Sequence, residues 1–258
     1  MDFTVVGNPC AAHQLNHQQS LSAGLRKHGL QVAEVATEFQ VKTHRVACWG
    51  WRVGKRLREA GHSVLVMERG YIGDRFAWTS LGWNGLNNRA TVPSVPDDGG
   101  GRFNANHAGC MKPLNPHGDY ALLIGQVPGD ASLQGLDLNP WYAQKAAVVA
   151  KETGLPVNFR PHPLARQRSQ VSAVPGTQML HGELSDALAG AAVVLTYNSN
   201  TGVDGLLAGK RVSADDKGSM AFAVTDREQW AHRLAWRQWS IEEIATGYAL
   251  DHVGLTDG

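Results

Sequence analysis

The sequence predicts an α/β protein built from two halves that meet near residue 117. Short apolar, β-branched runs alternate with helical segments, a pattern typical of βαβ units and parallel sheets. Of the 258 residues, 43% are apolar and 18% charged, which is enough apolar side chain for a core. The alternation stops over residues 69–117 and resumes at Asp119. We therefore expect an N-terminal domain over residues 1–117, with residues 69–117 as a long functional insertion, and a C-terminal domain over residues 118–258.

Local composition predicts each element of the first half. The β-branched run Phe3–Gly7 ends in Gly-Asn-Pro, and the apolar run Ser63–Glu68 is typical of a buried strand. The helix over Trp51–Ala60 is closed by Gly61. The other predicted elements are a helix over His17–His28 and strands over Gln31–Val35 and His44–Trp49.

The second half continues the alternation. Pro140–Thr153 has proline in its first turn and Gly154 after its end, which indicates a helix. The other predicted strands are Tyr120–Gly125, Pro156–Arg160, Ala192–Tyr197 and Arg211–Ala214. The other predicted helices are Glu183–Ala189, Gly202–Ala208, Asp226–Trp239 and Ile241–Val253.

Composition excludes several classes of protein. A formal net charge of +1 gives no strong overall field toward nucleic acid or an anionic membrane. No apolar run is long enough to span a bilayer, and the N-terminus lacks signal-peptide character. The three scattered cysteines (Cys10, Cys48, Cys110) form neither a disulfide framework nor a zinc pattern, so we expect a cytoplasmic protein without a membrane partner. His13 and His17 lack companion ligands, and we interpret them as solvent-facing or N-cap residues.

A polar turn follows the predicted strand Ala192–Tyr197. Asn198, Ser199, Asn200 and Thr201 are all good N-cap residues, and the free N–H groups of a helix start bind phosphate. Asp204 lies one turn into the helix, where a carboxylate can accept hydrogen bonds from ribose hydroxyls. The alternative interpretation is an ordinary capped helix.

Two further polar segments follow strands. In Arg160-Pro161-His162-Pro163 the prolines fix a guanidinium and an imidazole at a strand's carboxyl end, where they can hold phosphate oxygens. In the segment 125–132, Gln126, Asp130 and Ser132 can hydrogen-bond a base, a sugar or a hydroxyl. The alternatives are a structural turn with a buried histidine and plain Pro-Gly-Asp turn chemistry.

The segment after Ser63–Glu68 combines charge with aromatic surface. It contains the carboxylates Glu68 and Asp74 beside Arg69 and Arg75, and a carboxylate beside arginines stays ionised, as a base or nucleophile must. Trp78 and Trp83 can stack on a sugar or a base, with Asn84 as a polar neighbour. The alternative is a structural Glu–Arg pair with a small aromatic cluster.

Together these segments resemble the capsule polysaccharide synthesis family, Kdo-type glycosyltransferases with a GT-B-like pair of Rossmann-type lobes and a cleft between them. Four blocks carry the resemblance in the family's order, over residues 44 to 215: Glu68-Arg69-Gly70-Tyr71 with Ser80-Leu81-Gly82, Gly125-Gln126-Val127 with Asp130 and Ser132, Arg160-Pro161-His162-Pro163, and Ser199 to Gly209. Arg69 occupies a position where the family has an acid, and Asp204 replaces a glutamate.

The resemblance implies a metal-independent glycosyltransferase that uses a nucleotide-sugar donor, UDP-sugar in preference to CMP-sugar, with no permanently bound cofactor. The implied donor-binding residues are Gln126, Arg160, His162, Asn198, Ser199, Asn200, Thr201 and Asp204. The candidate catalytic carboxylates are Asp74, then Glu68, with Asp130 lining the cleft. The last helix, residues 241–253, is expected to pack back on the N-terminal lobe.

The segment from Glu68 to Ala90 also looks like compact phage-encoded relatives, for which the suspected acceptor is a hydroxymethylated pyrimidine in viral DNA, such as 5-hydroxymethylcytosine. The acceptor-binding candidates are then Arg69, Arg75, Trp78, Trp83 and Asn84, with Arg89 and Arg102 adding to a phosphate-binding rim. The implied location is the host cytoplasm. The alternatives are a glycan or lipid-linked sugar as acceptor, and a non-catalytic nucleotide-sugar or nucleic-acid binding module.

Overall fold

The computed structural model describes residues 2–7, 11–93 and 95–256. The chain forms two compact units, Met1–His107 together with Glu228–Gly258, and Ala108–Arg227. This division differs from the expected one, because residues 228–258 belong to the first unit and residues 108–117 to the second. Cys10 lies outside the described residues.

Eleven strands and ten α-helices are found in the part of the chain that the structure describes. The strands are β1 (Phe3–Val6), β2 (Val32–Val35), β3 (Arg45–Trp49), β4 (Ser63–Arg69), β5 (Trp78–Trp83), β6 (Tyr120–Ile124), β7 (Val157–Arg160), β8 (Thr177–Met179), β9 (Ala191–Thr196), β10 (Arg211–Ala214) and β11 (Gln238–Ser240). The helices are α1 (Ala12–Lys27), α2 (Trp51–Glu59), α3 (Gly101–His107), α4 (Asn139–Thr153), α5 (Pro163–Gln167), α6 (Leu184–Ala189), α7 (Thr201–Leu207), α8 (Arg227–Ala235), α9 (Ile241–Thr246) and α10 (Tyr248–Val253).

The first unit contains a six-stranded sheet in the order β11-β5-β4-β3-β1-β2. Strands β1 to β4 run parallel, whereas β5 is antiparallel to β4 and β11 is antiparallel to β5. The chain leaves β1 for β2 on one side and returns to β3 on the other. The strand order therefore reverses between β1 and β3, and ligands bind at the carboxyl ends of strands at such a point.

Apolar side chains on one face of this sheet form the core of the first unit. Phe3, Leu65, Trp83 and Trp239 are almost completely buried there, under helices α1, α9 and α10. Helices α1 and α9 approach closely at Gly24, where a Cβ atom would lie 2.1 Å from the Ile244 carbonyl oxygen. Only glycine allows this packing.

The second unit contains a five-stranded sheet in the order β10-β9-β6-β7-β8, in which all strands are parallel. The near-continuous apolar runs Tyr120–Ile124 and Ala191–Thr196 form the adjacent central strands, as expected for a sheet covered by helices on both faces. The chain leaves β6 for β7 and returns to β9 on the other side. The strand order therefore reverses between β6 and β9.

The predicted α/β class and most predicted elements are confirmed, but three predictions are wrong. Residues 69–117 contain a regular strand, β5, and a helix, α3. The helix predicted over Asp226–Trp239 ends at Ala235, and the chain then forms β11 because Gln238–Ser240 pairs with β5. The helix predicted over Ile241–Val253 is interrupted at Gly247, whose φ of 90° is left-handed. No helix in the described ranges is both long and apolar enough to cross a membrane.

Candidate functional site

A hydrogen-bonded pair of amides lies where the strand order of the second unit reverses. Gln126 follows β6 and Asn198 follows β9. The Gln126 Nε2 donates to Asn198 Oδ1 at 2.7 Å, and the Asn198 backbone N–H donates to Gln126 Oε1 at 3.1 Å. Because the Gln126 amide uses both its donor and its acceptor on Asn198, the two loops are held at a fixed spacing at the carboxyl edge of the sheet.

Asn198 also contacts the far end of the same loop and the segment after β10. Its Nδ2 donates to the Ser132 carbonyl at 3.0 Å and to Asp216 Oδ2 at 2.7 Å. Asn198 is only 4% exposed, and Asp216, which follows β10, is buried beside it. Sequence reasoning missed Asp216, although a carboxylate just after a strand is a signal that could have identified it.

The loop after β6 is shaped by Asp130. Its Oδ1 accepts hydrogen bonds from the Ser132 backbone N–H at 2.8 Å and the Ser132 hydroxyl at 2.7 Å. The Gln126 backbone N–H donates to the Tyr142 hydroxyl at 2.8 Å. Burial raises the pKa of Tyr142 to about 12, so the phenol stays protonated. Tyr142, on α4, is a second supporting residue that the sequence did not reveal.

The turn from β9 into α7 is closed by its own hydroxyls. Thr196 Oγ1 accepts from the Ser199 N–H at 3.0 Å, and Ser199 Oγ accepts from the Thr201 N–H at 3.2 Å. Asn200 takes the N-cap position and Asp204 lies in the first turn of the helix. Gly205 lets α7 lie close to the sheet, since a Cβ atom there would be 3.2 Å or less from two valine side chains. The predicted strand–turn–helix arrangement is therefore present.

Arg160 and His162 follow the neighbouring strand β7. The Arg160 Nη2 donates to the Gly182 carbonyl at 2.9 Å, while its Nε is buried without a hydrogen-bond partner in the described part of the chain. His162 Nδ1 accepts from the Leu164 N–H at 3.1 Å. A neutral His162 therefore carries its proton on Nε2, which leaves that nitrogen as the donor.

In the first unit, the predicted carboxylates lie at and just after the carboxyl end of β4. Glu68 Oε1 accepts from the Arg69 backbone N–H at 3.0 Å. Asp74 is exposed, and its Oδ1 accepts from the Phe76 N–H at 3.0 Å. Arg75 Nε donates to the Gly70 carbonyl at 3.0 Å. These bonds give the loop between β4 and β5 a defined shape.

Three expected acceptor contacts require correction. Trp83 is 1% exposed and packs against Phe3 in the core, so its ring offers no face for stacking. Asn84 has a φ of 57°, and its Oδ1 accepts from the Val64 N–H at 2.9 Å, which makes it a structural residue at the end of β5. Arg102 is buried in an ion pair with Glu243 and is not part of a phosphate-binding rim.

Trp78 remains an acceptor-binding candidate. It is half-buried, and its ring lies edge-on to His107 at 4.8 Å between centroids. Burial and the nearby Arg102 guanidinium lower the pKa of His107 to about 4, so this imidazole is neutral at physiological pH.

His17 was interpreted as a solvent-facing or N-cap residue, and this is wrong. It is buried, and both ring nitrogens bind protein atoms: Nε2 lies 3.2 Å from the Phe76 carbonyl oxygen, and Nδ1 contacts the Thr79 hydroxyl. Since a carbonyl only accepts, Nε2 carries the proton. Burial lowers the pKa of His17, which favours this neutral form.

The described ranges show no candidate metal site, and their buried cysteine Cys48 is not a reactive thiol. No group of three or more His, Cys, Asp or Glu side chains there is placed to hold a metal ion. Cys48 is buried, and burial raises the pKa of its thiol to about 12, which disfavours the nucleophilic thiolate.

No protein-family model matches the sequence, and no curated protein matches it significantly. Among solved structures, the chain is similar to KpsC from Thermosulfurimonas dismutans, a beta Kdo 2,7 transferase, with 15% identity, a TM-score of 0.58, and coverage of 96% of this chain and 99% of that one. The match to MurG from Acinetobacter baumannii covers 99% of this chain and 96% of that one at 13% identity. Its TM-score of 0.23 is too low to indicate a shared fold. The chain therefore has a GT-B-like fold with two α/β units, as the sequence predicted.

Proposed function

We propose that this protein is a glycosyltransferase that moves a sugar from a nucleotide-sugar donor to a hydroxyl acceptor. The observation that carries the proposal is the Gln126–Asn198 pair, which joins the two loops at the point of strand reversal in the second unit. Its position in a transferase-like fold supports a donor site there.

In this proposal the second unit binds the donor through its phosphates and ribose. The Arg160 guanidinium and the Nε2 of His162 supply donors for phosphate oxygens. At the start of α7 the Thr201 hydroxyl can donate to the same oxygens, whereas the Ser199 and Thr201 N–H groups already donate within the turn. Asp204 accepts hydrogen bonds from the ribose, and the Gln126–Asn198 pair keeps the loops in register. We favour a UDP-sugar, with a CMP-sugar as the alternative.

The transfer step requires a base for the acceptor hydroxyl and stabilisation of the leaving phosphate. Asp74 is our first candidate base and Glu68 the second, with Asp130 as the candidate from the second unit. The carboxylate takes the hydroxyl proton as the acceptor oxygen forms its bond to the anomeric carbon. The bond between that carbon and the phosphate oxygen breaks, and Arg160 and His162 stabilise the negative charge that develops on the phosphate. This route needs no metal ion.

Two acceptor classes follow from the sequence. A hydroxymethylated pyrimidine in DNA was the favoured one, but Trp83 and Arg102 no longer support it because both side chains are buried. That candidate now depends on Arg69, Arg75 and Trp78. The fold shared with KpsC, a beta Kdo 2,7 transferase, favours a saccharide hydroxyl, and we propose it as the leading acceptor class.

The donor proposal is tested by thermal shift with UDP-, CMP- and GDP-sugars. At least one class is expected to raise the melting temperature, and His162→Ala is expected to weaken that donor's binding about tenfold or more, because a hydrogen bond to a charged phosphate is worth about 1.5–3 kcal/mol. His117→Ala, an exposed histidine in the same unit, is the matched control. If no nucleotide sugar stabilises the protein, the proposal is wrong.

Acceptor class and catalysis need a second experiment. The protein and its best donor are incubated with hydroxymethylated DNA and, separately, with an oligosaccharide mixture, and mass spectrometry detects which gains a sugar. Asp74→Asn is expected to bind donor normally and to lose turnover. Donor binding without transfer to either acceptor would favour the alternative of a non-catalytic binding module.

A further inference from the structure

A cluster of four side chains at the carboxyl edge of the first unit's sheet has no part in the interactions described above. Trp49 ends β3, Arg69 ends β4, Phe76 lies in the loop after β4, and His13 lies in the first turn of α1. The His13 ring is edge-on to Trp49 and to Phe76, at 6.0 Å and 6.1 Å between centroids. The cluster lies where the order of β1 and β3 reverses, the position at which such sheets bind ligands.

Two members of the cluster have unused binding capacity. Phe76 is 57% exposed. The Arg69 guanidinium lies over the Phe76 ring at 3.9 Å. Within the described part of the chain, no hydrogen bond or ion pair engages the side-chain N–H groups of Arg69. Because these donors lie in the guanidinium plane, stacking leaves them available for bidentate binding of a carboxylate or phosphate.

The loop that presents Phe76 is held at both the N–H and the carbonyl group of Phe76. Asp74 Oδ1 accepts from the Phe76 N–H, and His17 Nε2 donates to the Phe76 carbonyl. The other nitrogen of His17 contacts Thr79 on β5, so one buried imidazole joins α1, the loop and the sheet. A loop whose backbone is fixed in this way loses little conformational entropy when a ligand packs on it.

The chemistry of the cluster selects a small anionic ligand over a nucleic acid strand. Aromatic faces beside one unpaired guanidinium suit a sugar ring with one negative substituent. A DNA backbone needs a surplus of positive charge along its path. Here Arg69 and Arg75 are matched in number by Glu68 and Asp74, so the local charge is close to zero.

We propose that His13, Trp49, Arg69 and Phe76 form a binding subsite for a sugar that carries a carboxylate or phosphate group, with His17 as a positioning residue. The assignment of this sugar as the acceptor rests on the proposed glycosyltransferase function. The existence of the subsite does not depend on that function. Arg69 binds the anionic group, and the rings of Phe76 and Trp49 pack on the apolar face of the sugar.

The test is saturation-transfer NMR without any nucleotide sugar. The probes are methyl glucuronoside, glucose 6-phosphate, neutral methyl glucoside and a short oligonucleotide that contains hydroxymethylcytosine. At least one anionic sugar is expected to bind at least fivefold more tightly than methyl glucoside. Arg69→Gln is expected to remove that preference, and Phe76→Leu to weaken all sugars at least fivefold.

Matched control variants keep the result specific to the cluster. Phe39→Leu changes an aromatic residue that is 90% exposed, and Arg58→Gln removes an exposed arginine on α2. Both are expected to bind the probes as the wild type does. His17→Gln is expected to weaken binding, and His17→Asn to weaken it further, since the shorter amide does not reach both Phe76 and Thr79.

Equal binding of the charged and neutral sugars by the wild type overturns the proposal, as does unchanged binding by Arg69→Gln and Phe76→Leu. Binding of the oligonucleotide alone, lost in these variants, assigns the cluster to DNA instead. Because no donor is present, these outcomes are independent of the donor thermal-shift test. If the protein binds the sugar but no nucleotide, the subsite stands and the proposed transferase function is wrong.

Discussion

Removing the Asn198 side chain tests whether the second unit's candidate site is held by this one amide. Asn198→Ala eliminates the bonds to Gln126 Nε2, the Ser132 carbonyl and the buried Asp216 carboxylate. Neutral hydrogen bonds contribute about 1 kcal/mol each and one to a charged group about 1.5–3 kcal/mol. We therefore expect the free energy of unfolding of the second unit to fall by about 4 kcal/mol.

Unfolding of the second unit can be followed separately through its single tryptophan. Trp141 is the only tryptophan in residues 108–227. Urea unfolding of protein labelled with 5-fluorotryptophan, followed through the ¹⁹F resonance of Trp141, reports on this unit separately from the seven other tryptophans. Donor affinity, measured on the same variant in the absence of urea, is expected to fall because the Gln126 loop loses its anchor.

Asn139→Ala is the control, because Asn139 is exposed at the start of α4 in the same unit. This variant is expected to change stability by less than about 0.5 kcal/mol. A loss below about 1 kcal/mol in Asn198→Ala, together with unchanged donor affinity, would refute the view that the amide pair organises the site.

Other perturbations have equally definite outcomes. Gly118→Ala places a Cβ atom 2.3 Å from the backbone of β9. This variant is expected to lower the free energy of unfolding in urea by about 2 kcal/mol or more. The control Gly109→Ala, which has open space around it, is expected to leave that free energy nearly unchanged. Arg102→Met leaves Glu243 without its ion-pair partner and is expected to lower the stability of the first unit by about 3–5 kcal/mol in the same assay, with Glu243→Gln partly restoring it. The pKa of His107 is lowered to about 4 in the folded protein, so as the pH falls the unfolded chain takes up the proton first. The free energy of unfolding is therefore expected to fall between pH 6.5 and about 4, by up to about 3 kcal/mol. His107→Gln is expected to flatten that part of the pH–stability curve.

The sequence predicted elements whose own residues determine their structure. Ser63–Glu68 and Ala192–Tyr197 are apolar over their whole length, and such runs become buried parallel strands. In contrast, Gln238–Ser240 forms a strand only because β5 lies beside it, and a short segment without apolar periodicity carries no signal of that pairing. Strand β5, which lies within residues 69–117 where no alternation was predicted, was missed for the same reason.

The polar loops of the second unit could be predicted because they directly follow strands. Asn198 was singled out as an N-cap residue and Gln126 as a polar residue after a strand, and their expected donor-binding role came from the family resemblance. Asp216 and Tyr142 support them from segments that carry no motif, and only tertiary structure brings them together. In the first unit, Trp83 looked like a binding residue because burial cannot be read from an aromatic residue in a glycine- and asparagine-rich stretch.

The first unit is built from two separate stretches of the chain, so its sheet can be completed only late in translation. Strand β11 covers the outer edge of β5, yet the ribosome delivers it only after the entire second unit. At usual elongation rates this delay is on the order of ten seconds. During that interval the nascent chain exposes an unpaired, aromatic strand edge, a template for association with other chains. Expression trials that stop the gene before residue 238 are therefore expected to yield inclusion bodies.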